Sequence, residues 1–202
     1  MTSTPHYFEP EPAVPSRPRT LDLALPDVNV RLTTDRGVFA ADAIDPGTKF
    51  LLLEGAAPPS SRGATLLDLG CGYGAIALTL ARRAPQATVW AVDVNTRALS
   101  LCAANAAENG LTNVRCATPD TVPTDTAFDG IWSNPPIRVG KDVLHQLLDR
   151  WLGRLAPTGA AHLVVHKHLG SDSLARWLTD HGWHVTRVRS RQGYRLLDVA
   201  HR

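Results

Sequence analysis

"ATLLDLGCGYGAIALTLARRA", residues 64–84, is the stretch on which the fold turns. It opens with "ATLLDL", a short apolar run of the kind that forms a strand buried on both faces. It closes with "AIALTLARRA", which suits a helix, and between the two Gly70, Gly72 and Gly74 stand at every second position. A chain that passes from strand to helix over glycines exposes the first free N–H groups of the helix to an acceptor, and no Cβ obstructs a ligand. A plain tight turn explains the glycines equally well when they are taken alone.

The same alternation continues downstream. "ATVWAVD" (87–93), "NVRCA" (113–117), "FDGIWSN" (128–134) and "AAHLVVH" (160–166) read as strands. "TRALSLCAANAAENG" (96–110) reads as a helix capped by Asn95 and stopped by Gly110, and "KDVLHQLLDRWLGRL" (141–155) and "SDSLARWLTDHG" (171–182) carry helical spacing. "WHVTRVRS" (183–190) and "YRLLDVA" (194–200) are two strands joined by a turn at Gly193. Strand and helix in alternation imply an α/β domain over residues 64–202, a mostly parallel sheet covered by helices.

Upstream the pattern differs. Pro5, Pro10, Pro12, Pro15 and Pro18 remove donors and fix φ, so residues 1–20 are expected to be a disordered arm, with order beginning near Leu21. Residues 21–63 are expected to form a small lid and linker: short strands at "VNVRL" and "GVFAA", then a helix in "DPGTKFLLLEG" capped by Asp45 with Pro46 at its first position.

With 202 residues and 44% hydrophobic content, the chain suits one globular domain and an extra segment. No apolar run approaches the roughly 20 residues of a membrane helix, and the first residues lack the apolar centre of a signal peptide, so a cytoplasmic, soluble protein is expected. Cys71, Cys102 and Cys116 are scattered without a CxxC pair and read as small core residues, not as a metal site or disulfide framework. A net charge of +2 does not by itself imply a polyanionic partner. From Arg176 onward, however, Arg187, Arg189, Arg191, Arg195 and Arg202 form a basic excess that suits either a solvated face or an RNA-facing patch.

Two acids give the glycine turn a chemical meaning. Asp68 stands two residues before Gly70, where a carboxylate would repel a pyrophosphate but suit an ammonium group. Asp93 ends the second strand, the position from which a carboxylate accepts both hydroxyls of a ribose. S-adenosylmethionine carries a ribose and a cationic amino-acid tail. Leu69, Cys71 and Val94 would supply apolar contact to it, and Asp120 would accept from the adenine amine unless it is an ordinary turn aspartate.

"DLGCGYG", "AVDVN", "AANAAENG" and "SNPPI" together resemble a class I S-adenosylmethionine-dependent methyltransferase. "GVFA", "DPGTKFLL", "SNPPIRVGK" with His145 after it, and "GYRLL" resemble the family that methylates guanine N2 in small-subunit ribosomal RNA. The resemblance implies a Rossmann-like sheet of seven strands flanked by helices, its closing hairpin inserting the last strand antiparallel, with a small N-terminal lid. It also implies RNA as partner. N-methylation of a protein glutamine or a small amine, and a non-catalytic cofactor-binding scaffold, are the alternatives.

The chemistry of such a transfer explains "NPP". An exocyclic base amine is a poor nucleophile because its lone pair is delocalised into the ring. The Asn134 side-chain oxygen and the Pro135 carbonyl, both aimed at the amine hydrogens, would localise that lone pair, with Pro135 and Pro136 locking their direction. No general base is required, and Asp129 reads as a strand residue. Ile137 follows the prolines where adenine-flipping enzymes carry an aromatic ring, which favours guanine over adenine and leaves Phe39 as the candidate stacking ring, unless it is a lid-core residue. Arg138 and Lys141 would contact phosphates. In "HKH", Lys167 or at most one of His166 and His168 would line the substrate side, since strand neighbours point to opposite faces, and no metal site is expected. Trp132, Trp151, Trp177 and Trp183 read as core.

Overall fold

The computed structural model describes residues 11, 13–59 and 61–202. An antiparallel ribbon, β1 (Arg19–Ala24) and β2 (Asn29–Thr34), leads to α1 (Pro46–Glu54). Then come β3 (Thr65–Leu69), α2 (Ala75–Arg83), β4 (Thr88–Val92), α3 (Thr96–Glu108), β5 (Val114–Ala117) and β6 (Phe128–Ser133). The chain ends with α4 (Lys141–Leu152), β7 (Leu155–His166), α5 (Ser171–Asp180), β8 (His184–Arg191) and β9 (Tyr194–Ala200). The large sheet has seven strands in the order β5-β4-β3-β6-β7-β9-β8. Pairing is parallel from β5 to β7, and β9 inserts antiparallel between β7 and β8. After β3 the chain builds outward to β4 and β5, then crosses back to place β6 on the other side of β3. This reversal opens a crevice at the carboxyl ends of β3, β4 and β6.

Strand alternation assigns the faces of β3. Leu67 and Leu69 join the core under α4 and α5, whereas Leu66 joins the core shared with α2 and the N-terminal ribbon. That second core takes in Leu23, Leu32 and Leu51 together with Leu66, Leu78 and Leu80, so the N-terminal elements and the large sheet bury one common set of side chains. Polar bonds fix the contact. Asn105 accepts from Thr33 N (2.7 Å) and donates to Thr33 O (2.8 Å), while Asn109 accepts from Arg31 N (3.3 Å) and donates to Arg31 O (2.8 Å). Residues four apart on a helix and two apart on a strand are both about 6 Å apart. Asn105 on α3 and Asn109 at its C-cap therefore serve the free edge of β2 as a neighbouring strand would, which accounts for the asparagines of "AANAAENG".

Four expectations need correction. "GVFAA" is a series of turns, with Ala40 at φ +54°: Val38 is anchored in the core while Phe39 faces outward, and this in-out alternation is not that of a pleat. Order starts earlier than Leu21, with β1 at Arg19. Arg17 N donates to Asp35 and Arg97 donates to Val14 O (2.9 Å), so this part of the expected arm is held, while residues 1–10 and 12 lie outside the described residues. β7 begins at Leu155, and its register against β6 shifts between Phe128 and Gly130 around the Pro157–Gly159 stretch. Trp132 and Trp151 are buried, but Trp177 and Trp183 are only partly so, and Trp177 stacks on His145 with centroids 3.9 Å apart. No described helix is long and apolar enough to cross a membrane.

Candidate active site

The crevice holds about 680 Å³. Its floor is the turn from β3 into α2. Gly70 and Cys71 donate to Val92 O (2.8 and 3.0 Å), tying this turn to the end of β4. Gly70, Gly72 and Gly74 have φ of +76°, +54° and +99°, a region that side chains rarely adopt. At Gly74 a Cβ would also meet Cys102 Sγ and Leu78 Cδ1, each at 2.7 Å, so Gly74 is required for packing of the loop on α3. At Gly70 and Gly72, which line the crevice, a Cβ would meet no atom within 4 Å.

Asp93 holds the next wall. One carboxylate oxygen accepts from Gly72 N (2.9 Å) and the other from Asn95 N (3.0 Å), so the acid both clamps the glycine turn and lines the crevice. Burial raises its pKa, opposed by these N–H donors. Val94 beside it is 40% exposed and lines the crevice, an apolar surface suited to an aromatic ligand.

Asp68 lies elsewhere. It is fully buried behind the turn, on the α2 face of β3, where one oxygen accepts from Ala77 N (2.8 Å) and the other has no hydrogen-bond partner among the described residues. Burial, outweighing the Ala77 bond, pushes its pKa up to about 8. The expectation that Asp68 faces an ammonium group fails on strand alternation: Leu69 points to the crevice, so Asp68 points away from it. Cys71 likewise sits behind the turn, its thiol pushed up to about 12 by burial. Asp120 is exposed and paired with Arg150 (3.0 Å); Pro119, not Asp120, lines the crevice.

The opposite wall carries Asn134, Pro135, Pro136 and Ile137, all lining the crevice at the end of β6. Asn134 Nδ2 donates to Asp45 Oδ2 (2.8 Å) and Thr48 Oγ1 (3.1 Å) at the start of α1. A carboxylate only accepts, so the NH2 end of the amide faces the lid and the oxygen end faces away from it. Pro135 O accepts from Ile137 N (2.8 Å), with Pro136 at φ −75° and ψ 72°, an inverse γ-turn that leaves the carbonyl its second lone pair. Phe39 comes from the lid to line the same space, 37% exposed.

The β7 rim departs from expectation. His166 and His168 both line the crevice and Lys167 does not, because the chain leaves the strand in a 3-10 turn after His166, which brings the two rings to 5.3 Å. Tyr194, at the start of β9, packs edge-on to His166 at 4.9 Å and also lines the crevice. Burial and the Asp45 charge raise its pKa, keeping the phenol protonated. Lys141 is exposed at the first residue of α4, outside the lining, and the Arg138 side chain lies outside the described residues. Arg187 pairs with Asp172 (2.5 Å) and Arg189 with Glu54 (3.4 Å), so two of the basic residues of β8 already have acidic partners. Among the described residues no cluster suited to a metal ion occurs.

Three site residues escaped the sequence. Asp45 was already explained as a cap, Thr48 carried no signal of its own, and Tyr194 belongs to a strand whose partner and register only the sheet supplies.

The model of the methyltransferase small domain matches residues 29–198. The chain is 34% identical over 195 residues to the uncharacterized protein YbxB of Bacillus subtilis, covering 95% of this chain and 96% of that one. It is 32% identical over 158 residues to the ribosomal RNA small subunit methyltransferase C of Shewanella oneidensis, covering 76% of this chain and 45% of that protein. Among solved structures, the T. thermophilus 16S rRNA N2 G1207 methyltransferase (RsmC), in complex with AdoMet and guanosine, superposes with a TM-score of 0.79 at 26% identity, over 95% of this chain and 52% of that one. The chain thus spans about half the length of these ribosomal RNA methyltransferases and nearly all of YbxB.

Proposed function

The chain belongs to the methyltransferase small domain family, whose methyl donor is S-adenosylmethionine, and from that premise we propose that it methylates the exocyclic N2 of a guanine in ribosomal RNA. The observation that carries this is the amide of Asn134, whose NH2 end is held by Asp45 and Thr48. Its oxygen end is left as an acceptor in the crevice that Asp93 and the glycine turn also line.

The residues present fit the donor. Gly70 and Gly72 leave backbone without Cβ cover, Asp93 offers carboxylate lone pairs to ribose hydroxyls, and Val94 offers an apolar face. Asp68 is not needed in direct contact. When bound, S-adenosylmethionine supplies an electrophilic methyl group on a sulfonium.

The chain's own residues then have three tasks. Asn134 Oδ1 and the free lone pair of Pro135 O accept from the two amine hydrogens, which draws the nitrogen lone pair out of conjugation with the ring. Phe39, Ile137, His166 and Tyr194, which all line the crevice, supply apolar and aromatic surface for an extruded base and exclude water. The surplus proton leaves to solvent, so no side-chain base is assigned. Lys141 and Lys167, outside the pocket lining, and Arg138 are the candidate phosphate contacts.

Incubation with methyl-labelled S-adenosylmethionine and, separately, small ribosomal subunits, ribosomal RNA and protein extract tests the function. Label is expected in RNA. Label confined to protein contradicts the RNA assignment, and no label in any acceptor leaves a cofactor-binding scaffold.

A further inference from the structure

We propose that Asp45 is a positioning residue for methyl transfer: from the N-terminal lid it sets which end of the Asn134 amide faces the reacting amine. This rests on the methyl-transfer function proposed for the crevice. The two ends of an asparagine amide have nearly the same shape, so packing alone does not choose between them; hydrogen bonding does. Here the choice is made by Asp45 Oδ2, which accepts from Thr48 N (2.8 Å) and from Asn134 Nδ2 (2.8 Å), with Thr48 Oγ1 as a second acceptor at 3.1 Å. Were the amide reversed, its oxygen would oppose a carboxylate, and an NH2 group would meet an amine that also donates.

The local sequence "DPGT" is built around this contact. Asp45 is the cap of α1 and Pro46 fixes the first φ of the helix. At Gly47 a Cβ would meet Tyr194 Cε1 at 2.6 Å and Asp45 Oδ2 itself at 2.9 Å. Any larger residue there would thus displace both the ring that lines the crevice and the oxygen that holds Asn134. An ordinary helix cap requires none of this, since the capping bond is complete with Thr48 N alone.

The test is a double-mutant cycle. Asp45→Ser keeps a good cap, but its hydroxyl both accepts and donates, so either end of the Asn134 amide is tolerated and the fixed sense is lost. We expect kcat to fall roughly tenfold, in proportion to the competent fraction, with S-adenosylmethionine affinity and melting temperature nearly unchanged. Asn134→Asp alone sets two carboxylates against each other and lowers kcat by about a hundredfold or more. Combining the two restores one donor and one acceptor at the contact and leaves a carboxylate oxygen for the amine. Asp45→Ser, whose hydroxyl accepts from Thr48 N and donates to the new carboxylate, should therefore raise kcat about tenfold in the Asn134→Asp background, reversing its effect in the wild type. Equal loss in both backgrounds overturns the assignment. A second readout needs no acceptor: the side-chain amide resonance of Asn134, identified by its disappearance in Asn134→Asp, should shift and exchange faster in Asp45→Ser. An unchanged resonance overturns the role of Asp45 whatever the substrate, whereas a shifted resonance in an enzyme that labels no RNA leaves Asp45 standing and removes the RNA assignment.

Discussion

Asp68 and Asp93 are two acids at the ends of neighbouring strands with different environments. Asp93 keeps both oxygens on backbone donors at the crevice edge, whereas Asp68 is sealed under the glycine turn with one oxygen unpartnered. Burial raises the folded-state pKa of Asp68 to about 8, above its value of 3.8 in the unfolded chain. Between those values the folded state binds the extra proton, so its contribution to stability is full below about pH 4 and is lost as pH rises toward 8. Each pH unit in that window is worth up to about 1.4 kcal/mol. Asp68→Asn keeps an acceptor for Ala77 N and does not titrate. Urea melts should therefore show the variant gaining on the wild type by several kcal/mol, as an order of magnitude, between pH 4 and 8. A stability difference independent of pH contradicts the burial account. The position of Asp68 was legible as an acid before a glycine turn, but its direction was not: that depends on which face of β3 meets α2.

At the scale of elements, the strand-to-helix alternation was readable because each element carries its own period and its own stops, such as Asn95 and Gly110 around α3. The N-terminal elements were harder to read. β1 starts within a proline-rich stretch, and "GVFAA" mimics strand alternation because Val38 is anchored while Phe39 faces the crevice. Beside the shared core, the pair Asn105 and Asn109 ties β2 to α3. Asn105 is fully buried and makes three bonds, to both backbone groups of Thr33 and to Tyr73 O (2.8 Å). Removing a fully satisfied buried amide strands those partners, at about 1–3 kcal/mol for each group left unsatisfied. Asn105→Ala is expected to lower stability by about 2–4 kcal/mol in denaturant melts, whereas Asn109→Ala, on an exposed edge, should cost about 1 kcal/mol or less. Equal effects would mean that the strand-like pairing does not hold β2.

Over the whole molecule, one crevice receives residues from the lid, the glycine turn, the end of β6 and the hairpin of β8 and β9. The strand ends were legible, since "DLGCGYG", "AVDVN" and "SNPPI" each close a strand at the same edge of the sheet. The long-range partners were not: Asp45 meets Asn134 across 89 residues, and Tyr194 reaches the crevice only because β9 inserts beside β7. The chain spans about half the length of the ribosomal RNA methyltransferases it matches. The proposed function rests on activation of a guanine amine by Asn134. The most direct measurement is mass spectrometry of the nucleosides released from small-subunit RNA after reaction with wild type and with Asn134→Ala. The wild type should yield N2-methylguanosine, and the variant about a hundredfold to a thousandfold less at unchanged S-adenosylmethionine affinity. Methylation of another atom, or full activity in Asn134→Ala, would contradict it.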